Sequence, residues 1–239
     1  MIHLFPRADK VVVILSGGMD STITCRLAVE KYGPENVHAL SFFYKQKQSI
    51  EVEFASANAK RMNLAKHMVV DISFLGDVAQ GISANVQGGK VMPTIQDILG
   101  DPTPPTYVPN RNMIMLSIAA SYAETVGAQY VMTGLQAQDE YSYWDTTNSF
   151  VNSINGVLGN MRQRKVQVYA PFLNSNKADE IRELIRVVGD AELLSHTITC
   201  YNPNGNVSCG TCPSCAERIA NFKKVGIKDP IEYAININW

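Results

Sequence analysis

The chain has no surplus of positive charge: 21 Lys and Arg stand against 22 Asp and Glu, for a formal net charge of −1. That balance supplies no general attraction to a polyanion, so nucleic acid is not an expected partner. The short basic spots (Lys45 and Lys47; Arg162, Arg164 and Lys165; Lys223 and Lys224) read as solvated faces. No apolar run reaches the roughly 20 residues that cross a bilayer, and no membrane association is expected. The opening MIHLFPRADK lacks the charged start and long apolar stretch of a secretory leader, so a cytoplasmic protein is expected. Stable disulfides are unusual in that compartment, and the five cysteines need another explanation. The four histidines (His3, His38, His67, His196) fall at no ligand spacing and read as structural. No internal repeat, low-complexity tract or interdomain linker is visible. With 239 residues, 46% of them hydrophobic, the chain can bury one large core and still carry a small module.

What is present is an alternation of strand-like and helix-like segments. Residues 10–15, 37–43, 67–72 and 129–133 read as strands, with 166–169 as a further candidate. Residues 20–32, 50–64, 113–125 and 178–188 read as helices. Gly33-Pro34 and Gly127 stop two of them, and Asn174, Ser175 and Asn176 are candidate N-caps for the last. The order predicts an α/β fold: a doubly wound, mostly parallel sheet flanked by helices. Ligands then bind beyond the carboxyl ends of the strands. Three stretches break the alternation: the proline-rich 73–110, the polar and aromatic 139–147, and the cysteine-bearing 199–215.

The strand at 10–15 runs straight into Ser16-Gly17-Gly18-Met19-Asp20-Ser21 and then into a helix. Backbone N–H groups at such a turn form an anion site; glycines let a phosphate approach, and two serines add donors. A Walker A loop would need a lysine after the glycines, and a dinucleotide fingerprint would need three spaced glycines. Neither is present. Ser-Gly-Gly-x-Asp-Ser resembles instead the loop of the ATP pyrophosphatases, which cleave ATP between the α- and β-phosphates. Asp20 is a candidate to orient the loop or to bind Mg²⁺ through water. The plain alternative is a tight strand–helix turn packed with small residues.

Cys200, Cys209, Cys212 and Cys215 give C-x8-C-x2-C-x2-C. Four thiolates at these spacings suit tetrahedral Zn²⁺ in a closed, structural site. Such sites supply ~10–16 kcal/mol of apparent folding free energy in small zinc peptides, enough to order a tail beside the pocket. Iron–sulfur ligation is the rival, disfavoured because the fourth cysteine lies upstream. Cys25 reads as a buried small hydrophobe.

A pyrophosphatase loop at one end and a cysteine cluster at the other form a specific pair. With the segments between, they resemble the 7-cyano-7-deazaguanine synthase family of the queuosine-precursor pathway. Tyr107-Val108-Pro109-Asn110-Arg111-Asn112 is similar to its V-P-x-R-N motif. Gly134, Ala137, Asp139, Tyr143, Asp145 and Phe150 fall on its G-x-x-A-x-D…Y-x-D…F segment without a gap. Ala170-Pro171-Phe172, then Lys177 to Ile181, is similar to another. Arg218, Phe222, Gly226, Asp229 and Pro230 continue the match beyond the cysteines.

The resemblance implies an adenine nucleotide α-hydrolase-like fold over 1–195, with a zinc-binding tail over 196–239 packed on it. It implies ATP, Mg²⁺ and Zn²⁺ as cofactors. The implied reaction adenylates the carboxylate of 7-carboxy-7-deazaguanine, aminates it with ammonia and dehydrates the amide to the nitrile. Ser16, Asp20, Ser21 and Lys177 are then the catalytic candidates. Gly17, Gly18, Met19, Arg111 and Gly134 join Ser16, Asp20 and Ser21 on the nucleotide. Tyr107, Asn112, Gln136, Asp139, Tyr143 and Asp145 are candidates for the deazaguanine, and a homodimer is expected. Each has a plain alternative: a surface lysine for Lys177, a buried ion pair for Arg111, loop capping for the aspartates, loop packing for Tyr143 and Trp144.

Two stretches depart from the family. Its S-G-Y-P-D-C-R appears as Tyr141-Ser142-Tyr143-Trp144-Asp145-Thr146-Thr147, without the cysteine and the arginine. Its Y-G-Q-R-H appears as Tyr44-Lys45-Gln46-Lys47-Gln48. Lysine and threonine do not copy a bidentate guanidinium. A paralogue that passes the same acid to another amine, such as that of a protein partner, is therefore the alternative. Pyrophosphatase-loop enzymes acting on tRNA and a non-catalytic nucleotide-binding protein stand further off.

Overall fold

The computed structural model describes residues 2–91, 105–137 and 143–239. Five parallel strands form one sheet in the order β3-β2-β1-β4-β5: β1 (Val11–Ile14), β2 (Val37–Phe43), β3 (Lys66–Asp71), β4 (Tyr130–Met132) and β5 (Gln167–Tyr169). β1 is central, with Val11 opposite Val37 on one side and Tyr130 on the other. Its all-aliphatic sequence fits burial on both faces. Val11 and Val13 enter one apolar cluster and Val12 the other, as a two-residue pleat requires.

Helices cover both faces. α1 (Met19–Tyr32), α2 (Ile50–Arg61), α6 (Lys177–Val188) and α7 (Pro213–Val225) contribute Ile23, Leu27, Ala55, Ile181, Leu184 and Phe222 to the first cluster. α3 (Ser73–Ala79), α4 (Arg111–Val126) and α5 (Asn148–Leu158) contribute Leu75, Leu116, Ala120, Phe150 and Ile154 to the second. The doubly wound expectation holds. The chain leaves β1 towards β2 and β3, then crosses to β4 on the other side. The crevice between the carboxyl ends of β1 and β4 is thus the switch point at which such sheets bind ligands.

Three differences from the sequence expectation have local causes. α3 lies inside the stretch read as loop; Pro93, Pro102 and Pro104 of that stretch fall outside the described residues. α5 carries Asn, Ser and Gly, which mask its apolar face, and Thr147 caps it by accepting from Phe150 N at 3.2 Å. α7 starts on Pro213 directly after Cys212, so its first turn is also the end of the cysteine cluster. Of the three cap candidates for α6, Asn176 accepts from Asp179 N.

The tail is stitched to the sheet domain by specific bonds. Ile198 N donates to Gly17 O at 3.1 Å, and Asn58 Nδ2 donates to His196 O at 2.7 Å. Within the tail, Arg218 and Asp229, both buried, form a forked ion pair, and Arg218 Nη2 donates out of it to Leu194 O at 3.0 Å. The tail thereby abuts the turn that follows β1.

Candidate functional site

The turn after β1 is closed by its own serines. Ser21 Oγ accepts from Ser16 N at 3.0 Å, lies 2.9 Å from Ser16 Oγ and donates to Gly18 O at 3.2 Å. Gly17 has φ +91°, and a Cβ there would sit 2.1 Å from the carbonyl oxygen of Glu51. Only glycine fits this backbone between the turn and α2. Gly134 serves a similar need at the end of β4. A Cβ on it would lie 2.8 Å from the carbonyl carbon of Asp20 and 2.9 Å from Ser21 N. Its absence lets the end of β4 press against the first turn of α1.

These segments bound a cavity of about 350 Å³, room for a drug-sized ligand. Ile14 and Leu15 form its floor with Thr133, Gly134 and Leu135, all at carboxyl ends of strands. Ser16, Gly18, Met19, Asp20 and Ser21 line it from the turn, and Arg111, Asn112 and Tyr143 line it as well. Lys177 lines it too, with its Nζ 2.7 Å from Glu217 Oε2.

The other expected residues take different places. Gln136 is buried behind the wall and donates to Glu180 Oε1. Asp145 is buried and accepts from Asn112 N at 3.3 Å. Tyr107 stacks on Tyr143 with centroids 6.0 Å apart and accepts from Trp144 Nε1 at 2.7 Å. Trp144 packs edge-on against Phe150. Asp139 lies outside the described residues. Lys45, at the family's glycine position, adopts φ +57°, the left-handed backbone that a glycine would take without strain.

Burial works against the Arg111 charge, but Tyr44, Tyr143 and Asp145 around it outweigh that and keep the guanidinium protonated. Burial also raises Asp145 above the usual carboxylate range, against the pull of Arg111. Glu180, fully buried in the first turn of α6, is raised well above it by burial and by the charge of Asp20 beside it. Asp20 and Glu180 thus form a carboxyl pair beside the serine–glycine turn, in which burial and the Asp20 charge favour the protonated form of Glu180.

Tyr44, Glu51, Thr106, Tyr201 and Glu217 also line the cavity, although the sequence did not single them out as site candidates. Tyr201 and Glu217 flank the cysteine positions and were overshadowed by them. Glu51 is one acidic residue among several on a helix surface. Ile198, Thr199, Tyr201, Ser214 and Glu217 all come from the tail, so the tail is one wall of the cavity.

The four tail cysteines converge: their Sγ atoms all lie within 4.8 Å of one another, with Cys209 and Cys215 at 3.9 Å. Four thiolates about 2.3 Å from one ion lie about 3.8 Å apart, so the cluster can hold a single metal ion. Backbone N–H groups of Tyr201, Asn202, Cys209, Thr211 and Cys212 donate to the sulfurs, as supports for thiolate ligands do. Cys25 is fully buried, and burial pushes its thiol up to about 12, an inert core group. Among the described residues no helix is long and apolar enough to cross a membrane.

A two-glycine serine turn at the switch point of a doubly wound sheet, on a cavity also lined by a half-buried arginine, is the arrangement expected of a pyrophosphatase-loop nucleotide enzyme. A profile for "Queuosine biosynthesis protein QueC" matches residues 10–226. The 7-cyano-7-deazaguanine synthase of Caldicellulosiruptor bescii is 38% identical over 234 residues, covering 96% of this chain and 100% of that protein. That of Oceanobacillus iheyensis is 36% identical, covering 94% and 98%. The NMN synthetase structure from Francisella tularensis covers 92% of this chain and 79% of its own at 15% identity, with a TM-score of 0.46. The chain belongs to the QueC family of queuosine biosynthesis proteins.

Proposed function

We propose that the chain is an ATP-dependent carbon–nitrogen ligase that converts 7-carboxy-7-deazaguanine to 7-cyano-7-deazaguanine. The observation that carries this reading is one cavity lined both by the serine–glycine turn and by the half-buried Arg111. The turn presents its hydroxyls and N–H groups to the β- and γ-phosphates of ATP, leaving the α-phosphorus open towards Arg111. Arg111 holds the acid's carboxylate by its planar fork. The carboxylate oxygen attacks the α-phosphorus, and the donors of the turn stabilise the departing pyrophosphate. Lys177 supplies a further charge at the phosphates. Mg²⁺ near Asp20 would neutralise phosphate charge. Ammonia then displaces AMP to give the amide, and a second activation and elimination gives the nitrile.

Zn²⁺ is the metal that the cysteine spacing and sulfur separations fit best. An iron–sulfur cube would spread its thiolates over several irons, farther apart than here. A bound ion would hold residues 196–239 against the sheet domain and so keep the cavity wall in place.

Incubation with ATP, Mg²⁺, the acid and ammonium, followed by mass spectrometry, tests the reading. AMP, pyrophosphate and a free nitrile are expected; ADP and orthophosphate would overturn it. One observation favours a second reading. Thr147, at the family's arginine position, is spent as the cap of α5. A changed acceptor, such as a protein amine, would then yield a deazaguanine-bearing partner rather than a nitrile.

A further inference from the structure

Glu51 opens α2 and lines the cavity. Its backbone carbonyl is wedged against Gly17, which fixes the residue at the level of the phosphate turn. The stacked Tyr107 and Tyr143 mark the other, aromatic part of the site. Among the described residues no group hydrogen bonds to the Glu51 carboxylate or forms an ion pair with it. Glu51 is half-buried and lines the cavity beside Arg111 and Tyr44. A carboxylate on a ligand cavity that is not engaged by the protein is equipped to act on the ligand.

The surroundings narrow the action. Arg111 of α4 and Tyr44 after β2 are the charged and titratable groups whose fields reach Glu51. Asp20, Lys177 and Glu217 stand elsewhere on the cavity. Burial pushes Glu51 up to about 8, with Arg111 opposing it. Such a carboxyl gains and loses a proton near neutral pH. Arg111 cannot give up its proton. Glu217 is engaged by Lys177, and Asp20 lies against Glu180.

Resting on the ligase reading, we infer that Glu51 is the proton acceptor for the nitrogen steps. When ammonia's lone pair forms the C–N bond, the C–O bond to AMP breaks and its electrons leave on the phosphate. One N–H proton passes to the Glu51 carboxylate, giving the amide, AMP and a Glu51 carboxylic acid. Glu51 returns that proton to solvent; adenylation of the amide oxygen releases a second N–H proton to solvent and leaves an O-adenylated imidate, from which Glu51 takes the last N–H proton. The nitrogen electrons form the third C–N bond as AMP departs, giving the nitrile.

The test is Glu51→Gln with two readouts. ATP–pyrophosphate exchange driven by the acid reports adenylation alone. Product formation with hydroxylamine, already unprotonated at neutral pH, reports the nitrogen step without titration of the nucleophile. We expect the ratio of product formation to exchange to fall about 10²-fold or more. The wild-type rate should rise with pH through about 8, and the variant should lose that limb. Parallel loss of both readouts would overturn the inference, as would a raised KM for the acid with kcat intact, the mark of a group that reads the purine edge. A wild-type enzyme without acid-dependent exchange sinks the ligase reading itself, and the assignment of Glu51 falls with it.

Discussion

Asp229→Asn removes one charge from the most enclosed ion pair of the tail. Arg218 and Asp229 are 2% and 0% exposed. Arg218 Nε lies 2.6 Å from Oδ2 of Asp229, and Nη2 lies 2.9 Å from Oδ1. The remaining partners of the guanidinium are neutral: Thr197 Oγ1 at 2.8 Å and Leu194 O at 3.0 Å. Asparagine keeps the shape but leaves the buried cation uncompensated. Breaking a pair of this kind costs about 3–5 kcal/mol. In a domain of this size each kcal/mol moves Tm by about 2–4 °C, so calorimetry of the metal-replete protein should show a fall of about 6–20 °C. The expense lies in the stranded charge, not in the lost bond. Arg218→Met combined with Asp229→Leu should therefore recover most of the loss. A single variant melting within about 2 °C of wild type would refute the reasoning. So would a double variant no more stable than the single one.

Asp20→Ala should abolish AMP formation while leaving the circular dichroism spectrum unchanged; persistent turnover removes Asp20 from the catalytic set. Gly17→Ala forces a side chain onto φ +91° and into the Glu51 carbonyl, a strain of about 1–3 kcal/mol or more at the turn itself. ATP affinity should fall about tenfold or more for such a strain, and wild-type affinity in a titration would contradict the geometry. Cys212→Ser should lose the bound metal by elemental analysis and lower Tm by several degrees; full metal occupancy would show that the cluster is not the site. Glu180 is raised in the folded state, so its contribution to stability is full below the ordinary value of 4.5 and is lost as pH rises through its folded value. Glu180→Gln should flatten that decline in urea midpoints measured from acid to alkaline pH, and a pH dependence equal to the parent's would refute the buried proton.

The sheet was legible because its signals are local. The β-branched run of β1, the stop at Gly33-Pro34 and the apolar face of α6 each announce an element within a dozen residues. The serine–glycine turn and the cysteine spacing were legible for the same reason: each is concentrated in a short motif. α5 was not, because Asn148, Ser149, Asn152 and Gly156 dilute an apolar face that Phe150, Val151 and Ile154 bury. α7 hid behind the cysteines that open it. Tyr107, Gln136 and Asp145 came from motif resemblance, which places residues near a site without saying which faces the cavity. The structure sets all three behind or beside the wall.

The rest of the site is long-range by construction. Glu51 reaches the cavity because Gly17 has no side chain to hold α2 away, a contact across 34 positions that no local pattern encodes. Tyr201 and Glu217 reach it because the cysteines turn the tail back and Arg218 locks it down on Asp229. The cysteine cluster and the serine–glycine turn look independent in sequence, yet Ile198 N bonds to Gly17 O and Gln48 Nε2 bonds to Tyr201 O. A tail held only by these two hydrogen bonds would detach readily, since each contributes only about 1 kcal/mol net. Phe222 in the first apolar cluster and the Lys177–Glu217 pair add to them, and the closed cysteine site and the buried Arg218–Asp229 pair hold the tail in the shape that makes these contacts. Loss of metal should therefore reach catalysis through the cavity wall rather than through any metal-borne step. Chelation should weaken ATP binding and slow adenylation together, at temperatures where the sheet domain still shows its native helix content.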